Sequence, residues 1–492
     1  MSHATEHRMS RVDTTWLRMD SEVNLMMIIG VWLLQPAVTL AALRERIAER
    51  LLKYPRFGQR AVHDALGAVW VDDPDLDISV HVVAEPLRRS KGQSARAALQ
   101  ARCGALAATP LDPRRPLWQF HLIDGYEGGC AIIVRIHHCI GDGIALVSVM
   151  NSITDGGAGP PQHQPQQPTH EAYQAHQAHD GHQAHHGDWL SEAVLRPLTG
   201  LAVRALGRSG DGVAGALDAL AHPPHPVQGG LDLARSGLHA LGDLAALVLM
   251  ADDSPTRLKG KPSGRKVVAW GEPIALDVVK AVSKSLNCSI NDVLLSCVSG
   301  AIGHWLRSQG DDPSGAEIRA MVPVNLRPPD EAWQLGNRFG LAPLLLPIGM
   351  ANPVQRAYAV RQRMADLKGS FQPLLAFGVL AFTGLFTKAV QDLVLGLFSR
   401  KASAVMTNVP GPRQALRFCG STLRQTMVWV PASGDVGVGV SILSYAGGVQ
   451  FALMTDAALC DNPQAIIDRF EPEFAQLLML SLMLPWGEAA EV

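Results

Sequence analysis

The chain has 492 residues, 47% of them hydrophobic and 18% charged, so it can bury a large core and is long enough for two domains of ordinary size. A formal net charge of −2 gives no support for a nucleic-acid-binding surface, and we predict no nucleic-acid partner. The seven cysteines are scattered without a CxxC pair. This pattern is typical of a reduced compartment and argues against a disulfide framework or a zinc knuckle.

The first part of the chain, residues 1–155, alternates strand and helix signals in the way that is typical of a mixed α/β fold. Residues 25–34 form an apolar, strand-like run, and residues 39–54 have helical spacing. Residues 89–110 are predicted to form another helix. Residues 118–138 are predicted to form two strands joined by the turn DGYEGG.

The composition changes over residues 156–188 to Gln, His, Pro and Gly, which predicts a disordered insertion. This insertion holds seven of the eighteen histidines, and a solvated linker is favoured over a metal site because the ligands lack a packed shell. Residues 189–266 are predicted to form a helical segment and a crossing linker. Residues 267–492 are predicted to form a second α/β unit, with a helix over 290–310 and a hairpin over 436–456.

The N-terminus shows no apolar segment typical of a secretory signal. Three apolar stretches, 25–34, 374–386 and 477–486, fall short of the roughly 18–20 residues that a membrane-spanning helix needs. Each is interpreted as a buried strand or core helix. The alternative is that one of them, with 374–386 in first place, contacts a lipid surface. These features predict a soluble protein that can sit on a membrane.

The stretch RIHHCIGDGIALVSVM at residues 135–150 places two histidines and an Asp-Gly pair after an apolar strand. Side chains alternate along a strand, so His137 and His138 should point to opposite sides, which argues against a shared metal ion. Asp142 occupies an N-cap position, and Gly143 permits a tight turn. Two interpretations stay open at this point. One is a histidine that acts as a base near neutral pH, and the other is a capped turn that is incidentally rich in histidine.

The spacing H-H-x-x-x-D-G over 137–143 resembles the signature of the chloramphenicol acetyltransferase-like acyltransferases. Further stretches resemble, more narrowly, the bacterial wax ester synthase/diacylglycerol acyltransferase family, and they occur in the family's order along the chain. These stretches are RVDTTWLRMDS (11–21), PLW (116–118), IND (290–292), PVNLR (323–327), GNRFG (336–340), TNVPGP (407–412) and SILSYAGGVQFALMTD (441–456). The His-rich insertion is not part of this resemblance.

The resemblance implies two chloramphenicol acetyltransferase-like domains, each a mixed sheet flanked by helices, with an active-site tunnel between them. It implies an acyl-CoA-dependent O-acyltransferase that makes wax esters from fatty alcohols, triacylglycerols from diacylglycerol, or both. Acyl-CoA would be a co-substrate, and neither a cofactor nor a metal is expected. The predicted location is the cytoplasm, with peripheral contact to the inner face of the membrane or to lipid inclusions such as droplets.

The resemblance also assigns roles to residues of the H-H-x-x-x-D-G motif. His138 would be the general base that deprotonates the acceptor hydroxyl, and the reaction would need no acyl-enzyme and no cysteine nucleophile. His137 would support it, and Asp142 would hold the turn and the orientation of the histidine. Asn291 is a candidate donor to the oxyanion, with capping of the following helix as the alternative.

The remaining motif residues are expected to be structural, namely Gly143, Asp292, Asn408, Pro410 and Gly411. For Asn408 we expect a hydrogen bond to a neighbouring backbone group. One basic group is a candidate for contacts with the CoA phosphates, although a basic linker is more often simply solvated. This basic group consists of Arg257, Lys259, Lys261, Arg265 and Lys266.

Besides a metal-binding protein that uses the histidine tract at 163–186, two other functions stay open from the sequence. The first is a condensation or acyltransferase enzyme that receives its substrate from a carrier protein, although no carrier domain is visible and the NVPGP and PVNLR stretches favour the lipid family. The second is a non-catalytic lipid-binding protein of the same fold, against which the intact H-H-x-x-x-D-G motif argues.

Overall fold

The computed structural model describes residues 6–64, 67–157, 252–327, 334–368 and 400–483. Up to residue 157 its strands are β1 (Glu6–Arg8), β2 (Met27–Gln35), β3 (Gln59–Asp64), β4 (Gly67–Asp72), β5 (Val82–Pro86), β6 (Trp118–Tyr126) and β7 (Gly129–His137). The helices of this part are α1 (Arg11–Arg18), α2 (Leu40–Arg50), α3 (Ile78–His81), α4 (Ala95–Ala107) and α5 (Gly143–Ser152). Two short 3₁₀ helices lie at Leu51–Lys53 and Pro55–Phe57.

From residue 252 onward the chain again alternates strands and helices. The strands are β8 (Lys266–Trp270), β9 (Ile274–Ala275), β10 (Ile318–Asn325), β11 (Phe339–Leu346), β12 (Ala404–Pro410), β13 (Arg417–Phe418), β14 (Ser421–Trp429), β15 (Val438–Tyr445) and β16 (Gly448–Asp456). The helices are α6 (Leu276–Ser285), α7 (Ile290–Ser308), α8 (Pro353–Lys368) and α9 (Gln464–Met483).

Most predicted elements within the described ranges are confirmed, among them the strand in 25–34, the helix in 290–310 and the hairpins over 118–138 and 436–456. The helix predicted over 89–110 is shorter than expected. It starts only after Ser94, whose side chain accepts a hydrogen bond from the backbone N–H of Ala97. The insertion from residue 158 on, the helical segment before 252 and the stretch 374–386 lie outside the described residues.

Two mixed sheets flanked by helices form the body of the protein, as the fold prediction requires. The first sheet has the strand order β13-β14-β2-β7-β6-β5 and is antiparallel except between β5 and β6. The second has the order β11-β10-β12-β15-β16-β8, with β9 also paired to β16, and contains two parallel pairs, β10–β12 and β12–β15. A small third sheet contains β1, β4 and β3.

Two strands from the second half of the chain, β13 and β14, complete the first sheet. β14 pairs antiparallel with β2, from Thr422 opposite Gln35 to Trp429 opposite Ile29. The segment 267–492 therefore supplies strands to both sheets, so a boundary at residue 267 divides the chain but not the sheets. This exchange ties the two halves together through backbone hydrogen bonds.

β7 is buried along its whole length because both faces of the first sheet are covered. Ile132, Val134 and Ile136 belong to the core cluster that also contains side chains of α1, α2 and α5. Ala131 and Ile133 face the other way, into a cluster with α4 and the second sheet. This double burial explains why the strand reads as a continuous apolar run, and it places the two histidines at the strand end between two packed layers.

Among the described helices, none taken singly has both the length and the apolar composition to cross a membrane. α6 and α7 would meet both criteria only as a pair, and they are bent by 97° relative to each other.

Candidate active site

The turn after β7 is built by backbone and side-chain hydrogen bonds of the H-H-x-x-x-D-G motif itself. The N–H of Ile140 donates to the carbonyl of His137 at 3.0 Å, which turns the chain away from the strand. Asp142 is the N-cap of α5, and its Oδ1 accepts the N–H of Ala145 at 3.0 Å. The turn therefore ends in a helix whose first turn starts beside the histidines.

Asp142 is also one half of a buried ion pair with Arg327, which follows β10. The guanidinium donates through Nη1 to Oδ1 at 3.1 Å and through Nη2 to Oδ2 at 2.9 Å, a two-pronged geometry that favours strong pairing. The side chains of Arg327 and Asp142 are 1% and 5% exposed. The backbone N–H of Arg338 adds a further bond to Oδ2 at 3.0 Å. Asp142 thus joins the histidine turn to the second half of the chain.

The loop 334–338 lies directly against this turn. Gly336 pairs with Gly141 as an isolated parallel bridge, and its carbonyl accepts both the N–H of Asp142 and Nη2 of Arg327. Gly336 has a φ of +118°, and a Cβ there would lie 3.4 Å from the guanidinium nitrogens of Arg56. Only glycine fits this position without strain, so the loop can approach the turn closely.

His138 is buried among aromatic rings and holds one defined hydrogen bond. Its ring stacks on Trp16 with centroids 4.1 Å apart and an interplanar angle of 12°, and Phe339 lies 5.5 Å away. Nδ1 is 2.8 Å from Oδ1 of Asn337. Burial lowers the pKa of His138 to about 4, although Asp142 and the bond to Asn337 act in the opposite direction. The imidazole is therefore neutral near pH 7 and able to accept a proton.

His137 contacts a different set of groups. Its Nδ1 accepts the backbone N–H of Cys139 at 3.2 Å, and its Nε2 lies 3.3 Å from Oδ1 of Asp20. Burial acts to lower the pKa of His137, but Cys139 and Asp20 outweigh it and raise this pKa to about 10. The two histidines share no partner. No group of three or more His, Cys, Asp or Glu side chains suited to a metal ion occurs in the described part of the chain.

An apolar pocket lies against the face of the first sheet that carries Val134 and Ile136, and His138 is not one of its lining residues. It encloses about 750 Å³ of space between protein atoms, part of it open to solvent. Its wall includes Val134 and Ile136, which precede His138 at alternating positions of β7, together with residues of α5, β2 and β14 and the 411–416 loop. Gly143 and Gly30 line it as well. A Cβ on Gly143 would meet no atom within 4 Å, so this glycine keeps the space open.

Asn291 does not cap the following helix, so the capping alternative is wrong. Ser289 is the N-cap of α7 and forms a capping box with Asp292. Oδ1 of Asn291 instead accepts Nδ2 of Asn408 at 2.5 Å, which also corrects the expected backbone partner of Asn408. With Oδ1 occupied, Nδ2 is the donor that Asn291 has left. Its role towards an oxyanion stays a prediction.

Pro410 ends β12, and Gly411 follows it at the wall of the apolar pocket. The N–H of Gly411 donates to the carbonyl of Ser444 at 2.8 Å, and a Cβ at this position would lie 2.4 Å from that carbonyl oxygen. The close backbone approach requires glycine here and fixes the 411–416 loop against β15.

Three of the five basic residues of the linker bond to other groups of the protein. Arg257 donates to Asp311 at 2.7 Å, and Lys259 donates to the carbonyl of Ala402 at 2.7 Å. The side chain of Lys266 is 10% exposed. It pairs with Asp456 in the second half of the chain and donates to Oδ1 of Asn24 in the first half. Lys261 and Arg265 are exposed, so the predicted contact with CoA phosphates rests on these two residues.

Four residues that shape the site received no role from the sequence, namely Trp16, Arg327, Asn337 and Asp13. Each lies in a stretch whose resemblance to the family was visible, RVDTTWLRMDS, PVNLR or GNRFG. Their partners, however, are as far as 324 positions away in the chain. Contacts between residues so far apart cannot be predicted from the spacing or periodicity of a single sequence.

Sequence comparison adds independent findings to this geometry. A model of the wax ester synthase/diacylglycerol acyltransferase catalytic domain matches residues 9–294, and one of the WS/DGAT C-terminal domain matches residues 335–478. A probable diacylglycerol O-acyltransferase of Mycobacterium tuberculosis H37Rv is 26% identical over 457 residues, which cover 91% of this chain and 89% of that protein.

Solved structures that share the fold include the following two. The wax ester synthase/diacylglycerol acyltransferase from Marinobacter aquaeolei VT8 aligns with a TM-score of 0.62 and 18% identity, over 96% of this chain and 100% of that chain. The first condensation domain of the calcium-dependent antibiotic synthetase aligns with a TM-score of 0.56 and 15% identity, over 97% of this chain and 96% of that chain. At these identities the likeness establishes the two-sheet fold alone.

Replacing Asp142 by Ala should destabilise the protein by about 3–5 kcal/mol, because Arg327 would be left as a buried, unpaired cation. Loss of the N-cap adds about 1 kcal/mol. The free energy of unfolding, measured with denaturant, checks this. The double variant Asp142→Ala/Arg327→Met should recover part of the loss, since it removes both buried charges.

The matched control for this experiment is Asp112→Ala. Asp112 pairs with Arg114, whose side chain is 86% exposed, so its loss should cost less than about 1 kcal/mol. If Asp142→Ala and Asp112→Ala lower the free energy of unfolding by similar amounts, the buried Asp142–Arg327 pair does not stabilise the protein as expected.

Proposed function

The chain belongs to the wax ester synthase/diacylglycerol acyltransferase family and is an acyltransferase, and we propose that His138 is the general base of its reaction. The observation that carries this proposal is the state of His138. It is neutral and buried, its Nδ1 is engaged with Asn337, and it follows a strand whose side chains line an apolar pocket. A base of this kind suits the activation of a lipid hydroxyl in a place from which water is largely excluded.

The proposed reaction transfers an acyl group from CoA to an acceptor hydroxyl. Nε2 of His138 takes the hydroxyl proton while the oxygen attacks the thioester carbonyl, which gives a tetrahedral oxyanion. The carbon–sulfur bond then breaks and the ester is released. The departing CoA thiolate accepts the proton from the imidazolium of His138, which restores the neutral base. Asn291 is the proposed donor to the oxyanion, with Asn408 holding its amide.

No acyl-enzyme is part of this proposal. Six of the seven cysteines are buried, Cys139 beside the histidines among them. Burial raises the pKa of Cys288 and Cys460 to about 11, which leaves both as weakly nucleophilic thiols near pH 7. Direct attack by the acceptor needs only the base and one oxyanion donor, which fits the groups present.

We propose a fatty alcohol, a diacylglycerol, or both as acceptors, and a long-chain acyl-CoA as donor. The mycobacterial relative is named a probable diacylglycerol O-acyltransferase, which supports diacylglycerol as acceptor, and the apolar pocket supports an alkyl chain. The carrier-dependent alternative draws support only from the fold of the condensation domain. The intact H-H-x-x-x-D-G motif, with His138 buried and hydrogen-bonded to Asn337, argues against a protein that binds lipid without catalysis.

Contact with a membrane or a lipid-inclusion surface stays a prediction. The end of α9 exposes apolar side chains, of which Met483 is 81% and Met479 65% exposed. This end belongs to the apolar stretch 477–486, whereas the first-ranked stretch, 374–386, lies outside the described residues. An apolar helix end of this kind fits a lipid surface.

Replacing His138 by Ala should lower ester formation by roughly 10²–10⁴-fold, because general-base catalysis contributes about that much. The assay combines purified protein with palmitoyl-CoA and either hexadecanol or a diacylglycerol, and measures ester together with released CoA. Circular dichroism and the melting temperature confirm that the variant is folded.

His81→Ala is the matched control for this assay. His81 is also a buried histidine, with Nδ1 2.8 Å from the Trp118 carbonyl and its ring stacked on Trp118. It should retain activity within a few-fold. Equal activities of the two variants would refute the assignment of His138.

Replacing Gly30 by Leu should shorten the alkyl chain that the enzyme accepts, because the new side chain would project towards the apolar pocket. A Cβ at this position would lie 3.7 Å from Cβ of Val134, so Gly30→Ala should change little. Each methylene of mismatch is worth about 1–3 kcal/mol. The preference for 16-carbon over 10-carbon substrates should therefore fall at least about tenfold in the Leu variant.

Chain length is varied first in the acyl-CoA at a fixed alcohol, then in the alcohol at a fixed acyl-CoA. One of the two profiles should change, which identifies the chain that occupies the pocket. An active, folded Gly30→Leu variant with both profiles unchanged would mean that neither alkyl chain uses this pocket.

A further inference from the structure

Asn337 holds His138 through an amide whose direction is set by its other bonds. Its Nδ2 donates to the backbone carbonyl of His138 and to Oδ1 of Asp13, both at 2.8 Å. Both amide protons are thereby used on acceptors, so Oδ1 is the atom that faces Nδ1 of His138, 2.8 Å away. A carbonyl oxygen only accepts, and Nδ1 must therefore carry the proton.

Asp13 is itself fixed from several sides. It is completely buried in the first turn of α1, and its Oδ1 also accepts the backbone N–H of Asn337 at 3.0 Å. Its Oδ2 lies 3.1 Å from Nη1 of Arg56, which donates to the carbonyl of Ile140 in the histidine turn at 2.9 Å. A carboxylate has no proton to donate, so it can only hold the Nδ2 side of Asn337.

We propose that Asn337 is a positioning residue that fixes His138 as the Nδ1–H tautomer, and that Asp13 sets the direction of the Asn337 amide. The consequence is that Nε2 keeps its lone pair. Within the described ranges Nε2 receives no hydrogen bond, so it is the nitrogen left to take the acceptor proton. This inference rests on the proposed function for its catalytic meaning, but the tautomer itself is a property of the folded protein.

The network also differs from a direct carboxylate–histidine pair. The asparagine stands between Asp13 and the imidazole, so the carboxylate orients the base without placing its full charge against the ring. This agrees with the lowering of the pKa of His138 by burial. Charged or titratable groups that neighbour His138 or its hydrogen-bond network include Asp13, Asp20, Arg56, His137, Cys139, Asp142, Arg327 and Arg338, and α1 also carries Arg11 and Arg18.

The tautomer is measured first on the unmodified protein. Long-range ¹H–¹⁵N correlation spectra of protein labelled with ¹⁵N-histidine distinguish protonated from unprotonated ring nitrogens, and His138→Gln identifies the signals of His138. We expect a protonated Nδ1 and an unprotonated Nε2 at pH 7. The opposite pattern would overturn the proposal without any further variant.

Asp13→Asn tests the direction of the amide. The new side chain removes the negative charge from the acceptor of Nδ2. If its N–H₂ faces Asn337, the amide of Asn337 reverses, gives up its bond to the His138 carbonyl and presents Nδ2 to Nδ1 of His138. That arrangement selects the Nε2–H tautomer, which cannot take a proton at Nε2. We expect kcat to fall roughly 10- to 1,000-fold, since a wrong tautomer costs up to about 10⁴-fold in a related arrangement, while KM stays within a few-fold. Asn337→Ala should change kcat in the same direction.

Gln450→Ala is the matched control for the loss of a buried amide. Its Nε2 donates to the carbonyls of Gly271 and Phe451 at 2.8 and 3.1 Å, away from the histidines. It should lower the melting temperature but leave kcat and the His138 spectrum unchanged. A wild-type kcat and spectrum in Asn337→Ala would overturn the proposal. If Asn337→Ala does not fold, the proposal is still tested by the His138 spectrum of the unmodified protein and by kcat of Asp13→Asn.

The tautomer of His138 and the formation of ester are measured separately. An Nδ1–H tautomer in a protein that forms no ester would leave the positioning role intact and remove the proposed function. An Nε2–H tautomer in a protein that forms ester would remove both the positioning role of Asn337 and the use of Nε2 as the base, while the acyltransferase activity would stand.

Discussion

The buried ion pair between Asp142 and Arg327 is the interaction on which the site depends. Removing two charges from water costs several kcal/mol per ion, and such a cost is offset only by near-ideal geometry and further hydrogen bonds. Both are present, because the carboxylate accepts two guanidinium bonds and the N–H groups of Ala145 and Arg338. The pair locks the histidine turn to the loop after β10, and with it the two halves of the chain.

The Asp142–Arg327 ion pair determines the surroundings of His138. It holds the loop 334–338 against the turn, and this loop carries Asn337 to the imidazole. The same packing brings Trp16 and Phe339 over the ring and removes it from water, which is why the base is neutral near pH 7. Asp142 itself bonds neither histidine among the described contacts, so its influence on their orientation acts through the turn.

Local features of the fold and the site could be predicted from the sequence because they depend on neighbouring residues. The continuous burial of β7, the capped turn at Asp142 and the helix after it follow from strand and cap signals in one short stretch. The entry of β14 into the first sheet could not be predicted, because pairing partners hundreds of residues apart leave no local pattern. Asn337 was missed for the same reason. The basic linker misled the prediction, since charge alone does not reveal that Lys266 is buried against Asp456.

The most direct test of the account is the pH dependence of kcat/KM, measured with an acyl thioester that carries no phosphate. A base whose pKa is lowered to about 4 is already unprotonated well below neutral pH, so kcat/KM should be constant from about pH 5 upward. It should fall only below that range, as His138 becomes protonated. A decline centred at pH 6.5 or above, with the protein still folded, would contradict a buried, neutral His138 as the base.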